Sequence, residues 1–185
     1  STDSSGLVSF DSDGFTLNNG GYVNTGTFVS WNWKAGGSPS SNTDGSITSS
    51  VSANTTNGFS IVKYTGNGSA GATIGHGLGS TPSAIFVKGL SAISNWSSYH
   101  SVLGNTGYMR LDGTGAFATA STYWNNTSPT SSVFTAGTTG NINANGNDFV
   151  AYCFAEKKGF SKFGSYVGNG NADGTFIYTG FKPAY

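Results

Sequence analysis

The chain has 185 residues, a formal net charge of zero and only 9% charged residues, against 36% hydrophobic and 14% aromatic. Soluble domains ordinarily carry about 25% charge, so Ser, Thr and Asn must do most of the solvating here. No basic stripe offers phosphates a footprint, which excludes nucleic acid as a partner. Without an apolar run of about 18 residues or a signal-peptide core, membrane insertion is not expected either.

The core must come from 13 Phe, 9 Tyr and 4 Trp with a single Met, residues that suit a pleated, half-buried surface better than a helix. The 29 Gly would be costly inside helices and instead mark turns. In chain order, Asp11-Ser12-Asp13-Gly14 comes first and resembles the opening of a calcium loop, with Asp11 and Asp13 as the ligands. The acidic residue such a loop needs at its twelfth position is replaced by Tyr22, so an Asp-rich turn is the better reading. Calcium is the one cofactor these residues would suit.

A turn at Asn19-Gly20-Gly21 leads to an expected strand at 27–33, in which alternation puts Trp31 and Trp33 on one face and Asn32 on the other. Residues 36–57 begin as a Gly/Ser/Pro loop and end in weak alternation, which reads as a linker or an edge strand. Further strands are expected at 58–64, 84–88, 149–155 and 175–178. Turns at Asn67-Gly68, Asn145-Gly146, Asn169-Gly170 and Asp173-Gly174 separate them. Short strands punctuated in this way make an all-β antiparallel sandwich, of jelly-roll or concanavalin-like type.

Candidate chemistry is sparse. Cys153 lies in an apolar run, cannot form an intrachain disulfide, and reads as a buried small hydrophobe. His76 and His100 lack Cys, Asp or Glu at metal-ligand spacing. The acidic residues are too scattered to mark a glycosidase pair, so no catalytic residue is assigned and the chain is not expected to be an enzyme. Sugar recognition is physically more plausible, because aromatic faces cover the apolar face of a pyranose ring while amides bind its hydroxyls. Trp96, Tyr99, Tyr123, Trp124 and Asn125 are the candidates, with core packing as the competing use of each ring.

The sequence also repeats itself. Tyr64-Thr65-Gly66-Asn67-Gly68 returns as Tyr166-Val167-Gly168-Asn169-Gly170, and each copy runs on to a Gly and a Pro: Gly79 and Pro82, then Gly180 and Pro183. Phe15-Thr16, Asn24 and the aromatics Phe28, Trp31 and Trp33 return as Phe134-Thr135, Asn143 and Phe149, Tyr152 and Phe154. Tandem units of about 100–120 residues follow, a normal sandwich size. Residues 1–36 are the C-terminal half of one unit, 37–57 a linker or edge strand, 58–159 a complete unit, and 160–185 the N-terminal half of a following one.

Several of these motifs together carry a family resemblance. Phe10-Asp11-Ser12-Asp13-Gly14-Phe15, Trp31-Asn32-Trp33-Lys34-Ala35-Gly36-Gly37, Gly75-His76-Gly77-Leu78-Gly79, Trp124-Asn125-Asn126-Thr127 and Phe160-Ser161-Lys162-Phe163-Gly164-Ser165-Tyr166 resemble an uncharacterised repeat domain. That domain recurs in phage structural and tail-fibre-like proteins of marine phages and metagenomes. The resemblance implies a virion or extracellular location, a lectin-like sandwich and no established catalytic residue. The expected function is a structural or tail-fibre subunit that contacts host-surface glycans or pairs with itself, as a homo-oligomer or head-to-tail polymer. A secreted polysaccharide-binding or polysaccharide-cleaving module and a capsid decoration protein are the alternatives.

Overall fold

Alternation along residues 148–154 turns Phe149, Ala151 and Cys153 to one face of a strand and Val150, Tyr152 and Phe154 to the other. Both faces are covered, so this strand lies at the centre of the molecule. The computed structural model describes residues 6–18 and 24–183; the turn expected at Asn19-Gly20-Gly21 falls outside them. The chain divides into two units, Ser1–Trp33 and Lys34–Tyr185.

In the first unit, β1 (Leu7–Phe10) and β2 (Phe15–Leu17) form an antiparallel hairpin with Phe10 opposite Phe15. The second unit begins with β3 (Ser40–Asn42), β4 (Ser49–Asn54), β5 (Phe59–Thr65), β6 (Ala72–Gly75), β7 (Ala84–Gly89), β8 (Ser97–His100), β9 (Gly104–Arg110) and β10 (Ala118–Thr119). After these come the single-turn α1 (Ser121–Trp124), β11 (Val133–Ala136), the single-turn α2 (Gly140–Asn143) and β12 (Asp148–Phe154). Eight strands form one antiparallel sheet in the order β10-β9-β8-β7-β12-β5-β4-β3, and β11 and β6 form a separate pair.

The β6–β11 pair, α1 and α2 supply the second layer. Ile74, Trp124, Phe134 and Ile142 pack there against Val62, Tyr64, Ile85, Phe149 and Ala151 of the large sheet. Tyr64 ties the layers together: its ring stacks on Phe149 at 5.4 Å and meets Phe134 edge-on at 5.9 Å. Its hydroxyl donates to the Ile142 carbonyl at 2.7 Å. The opposite face of the large sheet carries a smaller cluster of Phe59, Ala84 and Phe154, with Ala35, Ile61, Phe86, Tyr152 and Phe163 against it. This is an all-β, sandwich-like fold, as the composition and the turn spacing imply.

Three expected strands coincide with β5, β7 and β12. Two others, 27–33 and 175–178, are not strands: they form no regular secondary structure, with Phe28, Val29, Trp31, Phe176 and Tyr178 exposed. Strand propensity is a statement about packing against neighbours, and the apolar pattern there has no covering layer. The stretch 36–57, expected as a linker or an edge strand, contributes the edge strand β3 and its neighbour β4, with Val51 opposite Val62 and Ile47 in the core, and it belongs to the unit Lys34–Tyr185.

Candidate functional site

The five residues with sugar-binding chemistry do not form one surface. Tyr99, Tyr123 and Trp124 are in the main core, where Tyr99 and Trp124 meet edge-on at 5.8 Å. Trp96 lies on the other side of the large sheet, stacked on Tyr152 at 6.0 Å with the Lys88 ammonium 5.9 Å from its ring. Asn125 is exposed but serves as the left-handed C-cap of α1, at φ 53°. Tyr123 also stacks on Tyr108 at 3.7 Å, and its hydroxyl accepts from the Asn141 amide at 3.0 Å. Sequence position gives no sign of which way a ring faces; here the strand register and the single turn of α1 decide it.

Asp11 is committed to its own hairpin. One carboxylate oxygen accepts from the Thr16 hydroxyl at 2.7 Å and the other from the Ser9 hydroxyl at 2.9 Å. Those hydrogen bonds, Thr16 first, hold its pKa below the usual carboxylate value. Asp13 is exposed beside it. Among the described residues no group of three or more His, Cys, Asp or Glu could hold a metal ion.

Other ionisable groups are similarly engaged. Asp148 pairs with Lys63 at 3.1 Å and accepts from the Thr65 hydroxyl at 2.7 Å. Asp112 and Glu156 accept backbone N–H groups of Trp96 and Phe163, and Asp44 accepts from the Asn42 amide. A shallow hollow of about 330 Å³ lies over Ser41, Ser50, Lys63 and Asp148 on the large sheet. Burial pushes the Cys153 thiol up to about 12, which leaves it without thiolate character near neutral pH. His76 is fully buried: its Nδ1 accepts the Leu78 N–H, and its Nε2 faces the Thr130 carbonyl, both at 3.2 Å.

The distinctive chemistry lies towards the two ends. Phe28 is 56% exposed where Phe149 is 1%, and Tyr166 is 66% exposed where Tyr64 is 2%. Phe176 is 86% exposed where Ile74 is 0%. Each exposed residue stands at the position of a core residue in the repeat, so the ends present core side chains to solvent. The spacing of Phe28, Trp31 and Trp33 was the signal in the sequence for these segments.

Local geometry is repeated as well. The Asp11 N–H donates to the Gly14 carbonyl ahead of β2, and the Thr130 N–H donates to the Val133 carbonyl at the start of β11, both at 2.9 Å. Gly68 and Gly170 both take φ of +70°, a left-handed conformation that glycine adopts without steric cost. The preceding Asn67 and Asn169 side chains accept from the N–H of Ser69 at 2.9 Å and Asn171 at 3.0 Å.

The fold defines a sandwich-like all-β protein, and short motifs of its strands and turns return in the sequence at 15–33 and 166–177. The whole chain, residues 1–185, matches the family model described as Domain of unknown function (DUF7483), and the chain belongs to that family. No curated protein and no solved structure matches it.

Proposed function

We propose that this protein is a non-enzymatic structural subunit that assembles with copies of itself, as part of a phage particle or tail fibre. The observation that carries the reading is the pair of exposed segments, Phe28 to Trp33 and Tyr166 to Tyr178. They hold exposed core-type side chains outside any strand, and in sequence they repeat strands that are buried in the body. Clustered apolar exposure marks an interaction surface, and a segment with the pattern of a strand gains its partners by strand addition. The phage setting rests on the motif resemblance and on a surface solvated by hydroxyls and amides.

The carboxylates support a structural role, since Asp11, Asp44, Asp112, Asp148 and Glu156 each accept a local hydrogen bond or ion pair. Self-assembly has more support than glycan contact, because Tyr99, Tyr123 and Trp124 pack inside the core. Sedimentation velocity across a hundredfold concentration range, with electron microscopy of the largest species, tests the proposal. Growth into linear or ring-shaped assemblies is expected. A chain that stays monomeric throughout would sink it.

A further inference from the structure

We infer that the N-terminal segment of one copy and the C-terminal segment of a second copy pair in a defined register, rebuilding between subunits the strand pairs β12–β5 and β11–β6. This rests on the reading of the protein as a self-assembling structural element and adds the partner, the residues and the register.

The two ends hold complementary halves of one motif. Residues 15–33 repeat the run from β11 through α2 to β12, and residues 166–177 repeat the end of β5, its turn and β6. In the body those same four strands are partners of one another. Tyr64 lies opposite Phe149, and Ile74 opposite Phe134. Carried over, Tyr166 falls opposite Phe28 and Phe176 opposite Phe15. The three rings that join the two layers, Tyr64, Phe134 and Phe149, recur with unchanged identity as Tyr166, Phe15 and Phe28.

The turn between these strands is duplicated too. In the body, Asn143 is fully buried: its Oδ1 accepts the Asn67 N–H at 3.0 Å, and its amide donates to the carbonyls of Gly137 and Ser69. Gly140, Ile142 and Asn143 are matched in sequence by Gly21, Val23 and Asn24, and Asn67-Gly68 by Asn169-Gly170. Asn24 of one copy is therefore placed to accept from Asn169 of the next.

Gly168 supplies a separate argument. A Cβ on its counterpart Gly66 would lie 2.5 Å from the Ala144 carbonyl oxygen and 2.9 Å from the Asn143 carbonyl carbon, so only glycine fits there. A Cβ on Gly168 meets nothing within 4 Å, and its φ is not positive. Nothing in the single chain requires glycine at 168; the rebuilt contact does. The two halves lie in different segments of the chain, so the contact between two copies is heterologous.

The register is tested with chains that carry one added cysteine each, which is clean because the native Cys153 is fully buried. Thr27 and Val167 stand where Asp148 and Thr65 lie opposite each other, and neither belongs to the aromatic trio. Full chains bearing Thr27→Cys and Val167→Cys, one with a longer tag, are mixed, oxidised mildly and run without reductant. A mixed dimer outnumbering both homodimers is expected, because directly opposite positions meet disulfide geometry. Thr27→Cys with Ser165→Cys should not couple, being diagonal at about 7–8 Å. Adding Gly168→Ala to the Val167→Cys chain should cut the mixed dimer about tenfold or more, equivalent to about 1.4 kcal/mol, with the thermal midpoint of the chain unchanged.

Subunits that assemble without this mixed dimer would overturn the register and leave the structural role standing. If the Thr27→Cys/Val167→Cys double variant closes on itself and single variants never couple, the second copy is the wrong partner. A monomer at every concentration would overturn both.

Discussion

Phe149, Tyr152 and Phe154 occupy a central strand between β5 and β7, while Phe28, Trp31 and Trp33, the same pattern in sequence, run exposed and outside any strand. One short apolar pattern thus has two fates in one chain. The turns that accompany it keep their geometry in both places, as Gly68 and Gly170 show. Turns are satisfied by their own side chains and glycine conformers. Strands are satisfied by neighbours on both edges and a layer above. What separates the two regions is therefore long-range pairing, and every test of the comparison should change a body residue and its terminal counterpart together.

The largest separation is expected at the aromatic pair. Phe149→Ala removes a ring that packs on Tyr64 within the main core and should cost about 3–5 kcal/mol. Phe28→Ala, made on dilute chain, should shift stability by less than about 0.5 kcal/mol, as for an exposed site. Urea midpoints of the two variants decide it. Equal losses would mean that Phe28 is already packed, and the comparison would fail.

Asn143 gives the next largest difference. Its side chain serves Asn67, Ser69 and Gly137 from a fully buried position. Asn143→Ala leaves those backbone groups without their partner and should cost about 2–3 kcal/mol. Asn24, exposed and bonded at 3.3 Å to the Asn18 carbonyl, should be replaceable by Ala at no measurable cost to the dilute chain. Hydrogen exchange would sharpen the result: the amides of Asn67 and Gly68 should lose protection in Asn143→Ala and keep it in Asn24→Ala.

The part of this fold that sequence reveals is the part fixed over short distances. Alternation and β-branched content expose β5, β7 and β12, and Asn-Gly dipeptides expose their turns. β6, β8 and β11 are harder to see, since Ala72-Thr73-Ile74-Gly75 and Ser97-Ser98-Tyr99-His100 are small or polar and become strands through their pairing. The weak alternation that suggests an edge strand within 37–57 does not reveal that the serines of β4 are interior: Ser49 and Ser52 are buried through hydroxyl bonds to the carbonyls of Gly75 and Gly37. The facing of Tyr99, Tyr123 and Trp124 could not be read, because aromatic composition is the same for a core ring and a sugar platform. The terminal segments were legible as repeats and misleading as strands.

The smallest predicted effect separates body from ends by pH. His76 lies in the body just after β6, and Tyr178 stands in its place in the repeat, so only the body carries a buried imidazole. Burial, opposed by the Thr130 carbonyl and by Asp44, keeps the His76 pKa below its ordinary 6.5. In the unfolded chain the imidazole binds its proton near 6.5, so on acidification the unfolded state takes up the proton first. Stability is therefore level above 6.5 and declines as the pH falls from there towards the lower native value. Asp11 and Asp148, whose pKa values are lowered from 3.8 by hydrogen bonds from Thr16 and Thr65 respectively, lose their contributions only as the pH falls below that value. Urea midpoints between pH 8 and pH 4.5 should fall for the parent chain and fall less for His76→Gln, whose amide can serve both the Leu78 N–H and the Thr130 carbonyl. Parallel curves would show that the imidazole does not set this acid sensitivity, and the body would then differ from the ends in packing alone.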